Sequence, residues 1–224
     1  MYDCVIPAAG ASSRMGAWKP GLPFRGGTLL SSSAGIALRA GCRVLVVAGR
    51  NSGSIPGALG MFPDAAPCGS PSFEIVPNPN WELGMTGSLQ AGMTRVSTRF
   101  FFVLPADMPF VPILAFQELA REAGIRAAGG LPEAPIFPVF RGESGHPVLV
   151  PAARIPEALR LHPAARFRDF LEGFGPVHIA VEDAGIRSDL DTMGEYESAL
   201  VAPLAAEGAG GKAGDVPEAV IGRS

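Results

Sequence analysis

The sequence predicts an α/β fold: a mostly parallel sheet with helices on both faces, stacked as three layers. Three observations carry this expectation. Runs mostly apolar on both faces recur at residues 3–6, 43–48, 73–76, 100–104 and 177–181, as strands buried inside a parallel sheet should. Between them, residues 31–40, 87–96, 113–123 and 155–161 carry helical spacing, and such alternation implies right-handed β-α-β units. The 224 residues, 47% of them apolar, suffice for one such domain and its core.

The first strand runs into Pro7-Ala8-Ala9-Gly10-Ala11-Ser12-Ser13-Arg14, with Lys19 shortly after. Small residues after a strand let backbone N–H groups approach an anion, where a bulky Cβ would hold it away. Arg14 and Lys19 add charge that backbone dipoles lack. The stretch is not a P-loop, because Met15 stands where the second glycine belongs and no Lys-Ser or Lys-Thr pair follows. Nor is it a dinucleotide fingerprint, since Ser12 replaces the glycine two after Gly10. On spacing alone, a plain strand-to-helix turn with surface Arg14 and Lys19 stands beside the phosphate-cradle reading.

Residues 53–72 are rich in Gly, Pro and Ala and predict a weakly ordered connection with at most a short helix. After the third strand, the segment from Asn78 to Ser88 is punctuated by Gly84 and Gly87. Its amides and hydroxyls suit a base or ribose, or else form a solvated loop with Trp81 packed on the core. The fourth strand ends at Leu104-Pro105-Ala106-Asp107. A carboxylate at the carboxyl edge of a sheet is a natural Mg²⁺ ligand, or the N-cap of the next helix. In the following region Pro132, Pro135, Pro138 and Pro147 exclude a long helix. Short strands at 136–140 and 146–150 are expected to pair across 141–145 as a small β-excursion over the site. It carries Gly145-His146-Pro147, whose histidine is structural or catalytic. Ser188-Asp189-Leu190-Asp191-Thr192 follows the last strand. Its two acids, one residue apart, point to the same side of an extended segment, and could complete a metal site with Asp107 or cap the helix expected over 195–202. From residue 203 onward no period remains, so the expected organisation is one domain over 1–202 and a disordered tail over 203–224.

Composition excludes several classes. A net charge of −3 without a basic run lacks the electrostatic footprint of a nucleic-acid binder. Cys4, Cys42 and Cys68 are odd in number and form no C-x-x-C pair, which argues for reduced thiols over a disulfide framework or zinc site. The apolar stretch 100–116 is broken by Pro105, Asp107, Pro109 and Pro112, so no membrane span is expected there. Without a basic, then apolar, N-terminal leader, the expected location is cytoplasmic.

Taken together, these motifs resemble the MobA-like nucleotidyltransferases, and within them the molybdenum cofactor cytidylyltransferases. Ala8 to Lys19 is similar to that family's opening signature, and Asn78-Pro79-Asn80-Trp81, Gly84-Met85, Ser88-Leu89, Asp107-Met108-Pro109, Gly145-His146-Pro147 and Asp189-Leu190-Asp191-Thr192 follow in the family's order. The resemblance spans about residues 3–200. It implies a Rossmann-like three-layer α/β/α sandwich of the nucleotide-diphospho-sugar transferase type. The implied reaction moves a nucleotide, CMP from CTP, onto a small phosphorylated acceptor with Mg²⁺, releasing pyrophosphate, and the leading acceptor is molybdopterin. By the same resemblance, Ala8, Ala9, Gly10, Ala11, Ser12, Ser13, Arg14 and Lys19 hold the triphosphate, with Lys19, Arg14 and Asp107 catalytic. Asp107 and Asp191 hold the metal, with Asp189 the alternative to Asp191. Asn78, Gly84 and Ser88 face the nucleoside, and Gly145, His146 and Pro147 face the acceptor. A molybdoenzyme or its chaperone is the implied protein partner.

Three departures bear on the acceptor. Met193-Gly194 replaces the proline that usually starts the last helix, Pro20-Gly21 follows Lys19, and Leu161–Ala165 lacks the usual Gly-Asp-x-Gly. Two alternatives remain at this point: the same chemistry on a sugar phosphate or amino-alcohol phosphate, and a non-catalytic accessory protein that binds nucleotide or cofactor.

Overall fold

The computed structural model describes residues 1–10, 18–59 and 73–201. The expected phosphate-loop positions Ala11, Ser12, Ser13 and Arg14, along with Cys68 and the tail over 203–224, lie outside the described residues. In chain order the strands are β1 (Tyr2–Pro7), β2 (Pro23–Phe24), β3 (Gly27–Thr28), β4 (Cys42–Ala48), β5 (Phe73–Pro77), β6 (Phe100–Val103), β7 (Ile136–Phe140), β8 (Glu143–Ser144), β9 (Val148–Pro151) and β10 (Val177–Ala180). The helices are α1 (Leu29–Arg39), α2 (Ile55–Leu59), α3 (Met85–Met93), α4 (Ile113–Ala128), α5 (Ile155–Ala158), α6 (Phe167–Glu172) and α7 (Met193–Val201).

The main sheet runs β10-β7-β9-β6-β1-β4-β5, with β8 paired to β7. β1 lies parallel to both β4 and β6, and β4 parallel to β5. The inner strands β1, β4, β6 and β9 pack on both faces, whereas the edge strands β5 and β10, expected to be buried on both faces, are partly exposed because among the described residues each has a neighbour on one side only. Cys4 and Ile6 of β1 face one layer while Val5 faces the other; Val44 and Val46 oppose Leu45 and Val47; Phe102 opposes Phe101. Helices α1, α2 and α4 cover the first face, and α3, α5 and α6 the second. The expected three-layer α/β sandwich is therefore the observed one.

The antiparallel pair expected over 136–150 forms, but inside the sheet rather than as an excursion standing over it. β9 inserts between β6 and β7, antiparallel to both. Directly across the 141–145 turn, the outer end of β7 pairs with the two-residue β8, while β9 meets it at Ile136–Leu149. Strand direction depends on partners distant in sequence, which local apolarity does not encode.

Two small elements had no sequence reading. β2 and β3 form a hairpin closed by Arg25 (φ 47) and Gly26 (φ 85), a two-residue turn with positive φ at both centres that glycine favours and arginine does not advertise. α6 follows the Leu161–Ala165 departure. The lost proline before α7 is replaced by a reciprocal cap: Thr192 N–H donates to Glu195 Oε2 (2.7 Å), and Glu195 N–H donates to Thr192 Oγ1 (3.2 Å). Cys4 and Cys42 are free and buried, as expected of reduced thiols. Among the described residues no helix is long and apolar enough to cross a membrane.

Candidate active site

From β1 the chain steps outward to β4 and β5, then crosses to the opposite side of β1 as β6. The loops leaving β1 and β6 therefore diverge and open a crevice at the carboxyl ends of the strands, where ligands collect in sheets of this kind. A cavity of about 430 Å³ occupies that place, reached by Ala8 and Gly10 from β1 and by Pro105 and Asp107 from β6.

Lys19 is the centre of its polar wall. A single 3₁₀ turn over Lys19–Gly21 holds it, closed by Gly21 N–H on Trp18 C=O (3.1 Å) and Leu22 N–H on Lys19 C=O (3.1 Å). Pro20 and Gly21 thus build the turn that buries the lysine stem, with Gly21 tight beneath the Trp18 ring. Lys19 is 8% exposed, and its ammonium donates to Asp107 Oδ2 (2.5 Å) and to Asp191 Oδ1 (2.9 Å). Burial opposes its charge, but the two carboxylates outweigh that cost and hold its pKa above the ordinary lysine value.

Neither aspartate is a helix cap. The N-cap position of α4 is Pro112, five residues beyond Asp107, and α7 is capped by Thr192. Asp191 is brought to Asp107 by the backbone: Leu190 N–H donates to Asp107 C=O (3.2 Å), and the Leu190 side chain is buried against Phe24, Leu29 and Tyr196. A buried leucine between two acids turns both toward the crevice. Asp189 lines the same cavity; burial, with the charges of Asp191 and Asp107 nearby, raises its carboxyl.

Gly145 and His146 form the opposite wall, and Pro147 is buried beyond a cis peptide bond. His146 N–H donates to Ile186 C=O (2.7 Å). A Cβ on Gly145 would run into that same Ile186 backbone, so the position requires glycine. Burial, reinforced by the Arg168 charge, lowers the His146 imidazole to about 4, leaving it neutral near pH 7.

Some expected residues sit elsewhere. Asn78 and Ser88 come together, but with each other: Asn78 Nδ2 donates to Ser88 Oγ (3.2 Å), and Asn78 Oδ1 accepts from Asn80 N–H (3.0 Å). At 6% and 3% exposed, they line neither large cavity and hold the turn ahead of α3. Gly84 lines a second, neighbouring cavity. Ala9 is buried, and its carbonyl lies 2.7 Å from where a Gly49 Cβ would sit. Gly49 thus lets the end of β4 approach the phosphate-loop backbone, a role with no local sequence signal. Arg187, paired with Glu143, also lines the polar cavity; only its position one residue before Ser188-Asp189 marks it.

The donor set fits a hard divalent cation. Two carboxylates converge on a point now filled by an ammonium, and Mg²⁺ is typically held by one or two carboxylates plus substrate phosphates and water. Among the described residues no three His, Cys, Asp or Glu side chains converge to cage a metal by themselves.

Comparison with known proteins identifies the family and the fold. Residues 4–180 match the MobA-like NTP transferase domain. The chain is 29% identical over 197 residues to the molybdenum cofactor cytidylyltransferase of Escherichia coli (strain K12), covering 88% of this chain and 94% of that one. It is also 33% identical over 108 residues to the nicotine blue oxidoreductase of Paenarthrobacter nicotinovorans, covering 47% and 48% respectively. Among solved structures, Rv0371c of Mycobacterium tuberculosis H37Rv superposes with a TM-score of 0.72 at 21% identity, over 90% of this chain and 97% of that one. The chain belongs to the MobA-like NTP transferases, a family of nucleotidyltransferases.

Proposed function

We propose that this enzyme transfers CMP from CTP to a phosphorylated acceptor, with a molybdopterin-type cofactor as that acceptor and Mg²⁺ as the metal. The observation that carries the reading is Lys19 spanning Asp107 and Asp191 at the crevice between β1 and β6. An acceptor phosphate oxygen attacks the α-phosphorus; the bond from that phosphorus to the oxygen bridging the β-phosphate breaks, and pyrophosphate leaves. A phosphate monoester is already ionised at neutral pH, so no protein base is needed, in keeping with a neutral His146. Catalysis is then alignment and charge neutralisation.

Asp107 and Asp191 would hold the cation, which supplies charge neutralisation on the phosphates. Lys19 would exchange a carboxylate for α-phosphate oxygens. Ala8, Ala9 and Gly10, with Ala11, Ser12, Ser13 and Arg14, would cradle the triphosphate. Gly84 lies toward the nucleoside, Asn78 and Ser88 support it through the α3 turn, and Gly145, His146 and Pro147 lie toward the acceptor. The 29% identical E. coli relative supports the choice of CTP and acceptor. The reading places the enzyme in the cytoplasm, in contact with a molybdoenzyme or its chaperone.

The test is pyrophosphate release with CTP, GTP, ATP or UTP, with and without molybdopterin. Release from CTP only with that acceptor is expected. Release only with a sugar phosphate or amino-alcohol phosphate would replace the acceptor, and tight triphosphate binding without release would make the chain an accessory protein.

A further inference from the structure

A third apolar cluster sits apart from the two that sandwich the sheet. Phe24, Leu29, Leu190, Tyr196 and Ala199 form it, with Leu22 and Phe110 packed against them. Each charged residue of the polar corner is tied to this cluster through a close neighbour in the chain. Leu22 follows Lys19 by three residues, Phe110 follows Asp107 by three, and Leu190 directly precedes Asp191. The cluster therefore sets where Lys19, Asp107 and Asp191 stand relative to one another.

Arg25 closes the cluster from outside. It sits at the tip of the β2–β3 hairpin with φ 47, a left-handed backbone that glycine adopts freely and a residue with a Cβ does not. Its side chain joins three segments at once. The guanidinium lies 5.2 Å from the Phe24 ring centroid and 5.1 Å from that of Phe110, and the two rings meet edge to face at 5.7 Å. Arg25 Nη2 donates to Ala199 C=O at 3.2 Å. That carbonyl lies in the last turn of α7, and the residue four further on is Pro203, which has no N–H to offer it. A cation at this end of a helix also suits its dipole. Tyr196 O–H adds a second tie between α7 and the hairpin by donating to Pro23 C=O.

Lys19 does not depend on these ties, because its turn is closed by its own backbone hydrogen bonds. The two aspartates do. Asp191 stands just ahead of α7, and Asp107 shares its loop with Phe110. We infer that Arg25 is a positioning residue: by fastening α7 and Phe110 to the hairpin, it holds Asp191 and Asp107 at the spacing a divalent cation requires. The inference rests on the metal role proposed above for those two aspartates.

The test is Mn²⁺ binding to the nucleotide-free full chain by electron paramagnetic resonance, beside thermal unfolding. The variants are Arg25→Gly, Arg25→Asn, Arg25→Lys, Asp191→Asn, and Arg25→Gly combined with Asp191→Asn. Glycine and asparagine both accept a positive φ, so the hairpin should close in each and the unfolding temperature stay near that of the parent. Mn²⁺ binding should weaken about fivefold in both. Arg25→Lys should recover most of that loss by keeping a cation beside the two rings. In the Asp191→Asn background, Arg25→Gly should weaken binding no further. Parent-like Mn²⁺ binding in Arg25→Gly and Arg25→Asn, with or without a loss of thermal stability, would make the contacts structural only and overturn the inference. An undiminished fivefold loss in the Asp191→Asn background would overturn it too. If Asp191→Asn by itself leaves Mn²⁺ binding unchanged, the metal reading of that residue falls, and the role of Arg25 falls with it.

Discussion

The two ends of β1 carry the same chemical groups put to opposite uses. At its start, Asp3 is 1% exposed and saturated: Arg43 Nε donates to it at 2.7 Å, Ser97 N–H at 2.6 Å and Thr98 N–H at 3.2 Å. Burial alone would raise this carboxyl, but the Arg43 and backbone hydrogen bonds overcome it and hold its pKa below the ordinary value. At the other end, Asp107 and Asp191 share one lysine beside an open cavity. A carboxylate whose lone pairs are taken by fixed donors ties the loop before β6 to β4; one answered by a long, movable side chain can be handed to another cation. What separates a structural carboxylate from a reactive one here is the supply of backbone donors, not the residue type.

The largest effect should come from breaking the reactive end. Asp107→Asn is expected to slow pyrophosphate release by about 100-fold or more, with thermal unfolding near that of the parent. A variant as active as the parent would remove Asp107 from the site.

Breaking the structural end should do the reverse. Asp3→Asn leaves Arg43 only its longer charged contact with Glu74 (3.9 Å) and should cost about 3 kcal/mol of stability, read by urea unfolding, with pyrophosphate release per folded molecule unchanged. A carboxyl held low in the native state stabilises above the unfolded value near pH 4 and loses that contribution as pH falls through its native value. The same variant should therefore flatten the most acidic limb of the stability curve.

Lys19→Met sharpens the contrast. Without its ammonium, Asp107 and Asp191 lose the cation lying between them, so Mn²⁺ should bind the nucleotide-free protein about tenfold tighter by electron paramagnetic resonance, although turnover falls. Unchanged or weaker Mn²⁺ binding would show that the lysine does not occupy the cation's place.

The smallest effect is a slope. The His146 pKa is lowered to about 4 in the folded chain, against about 6.5 unfolded. Between those values the unfolded state binds more protons, so stability should rise with pH across that window and level off above it. His146→Gln should remove that slope while leaving the more acidic Asp3 limb in place. A variant with the parent's slope would assign the titration elsewhere.

Much of this was legible because it is local. Mostly apolar runs marked β1, β4, β5 and β6, and small residues before Lys19 with an acid just beyond β6 marked the crevice. Thr192 and Glu195 stand at capping-box spacing even without the proline. Less legible were features that depend on a partner. Gly49 matters because Ala9 and Trp81 both pack on it, and Arg25 sits in a turn that its side chain does not favour. Asn78 and Ser88 offer the right polar groups, yet each is the other's partner.

By itself, then, the sequence determined the alternation of buried strands and amphipathic helices and the chemical inventory of the phosphate corner, since both are written in contiguous residues. The tertiary structure alone decided that β9 would insert antiparallel between β6 and β7, that Leu190 would swing Asp191 onto Lys19, and that Phe137, Val148 and Phe167 would enclose an apolar space beside His146. Those outcomes depend on which distant surfaces meet, and a linear pattern of hydrophobicity records that a side chain is buried without recording against what.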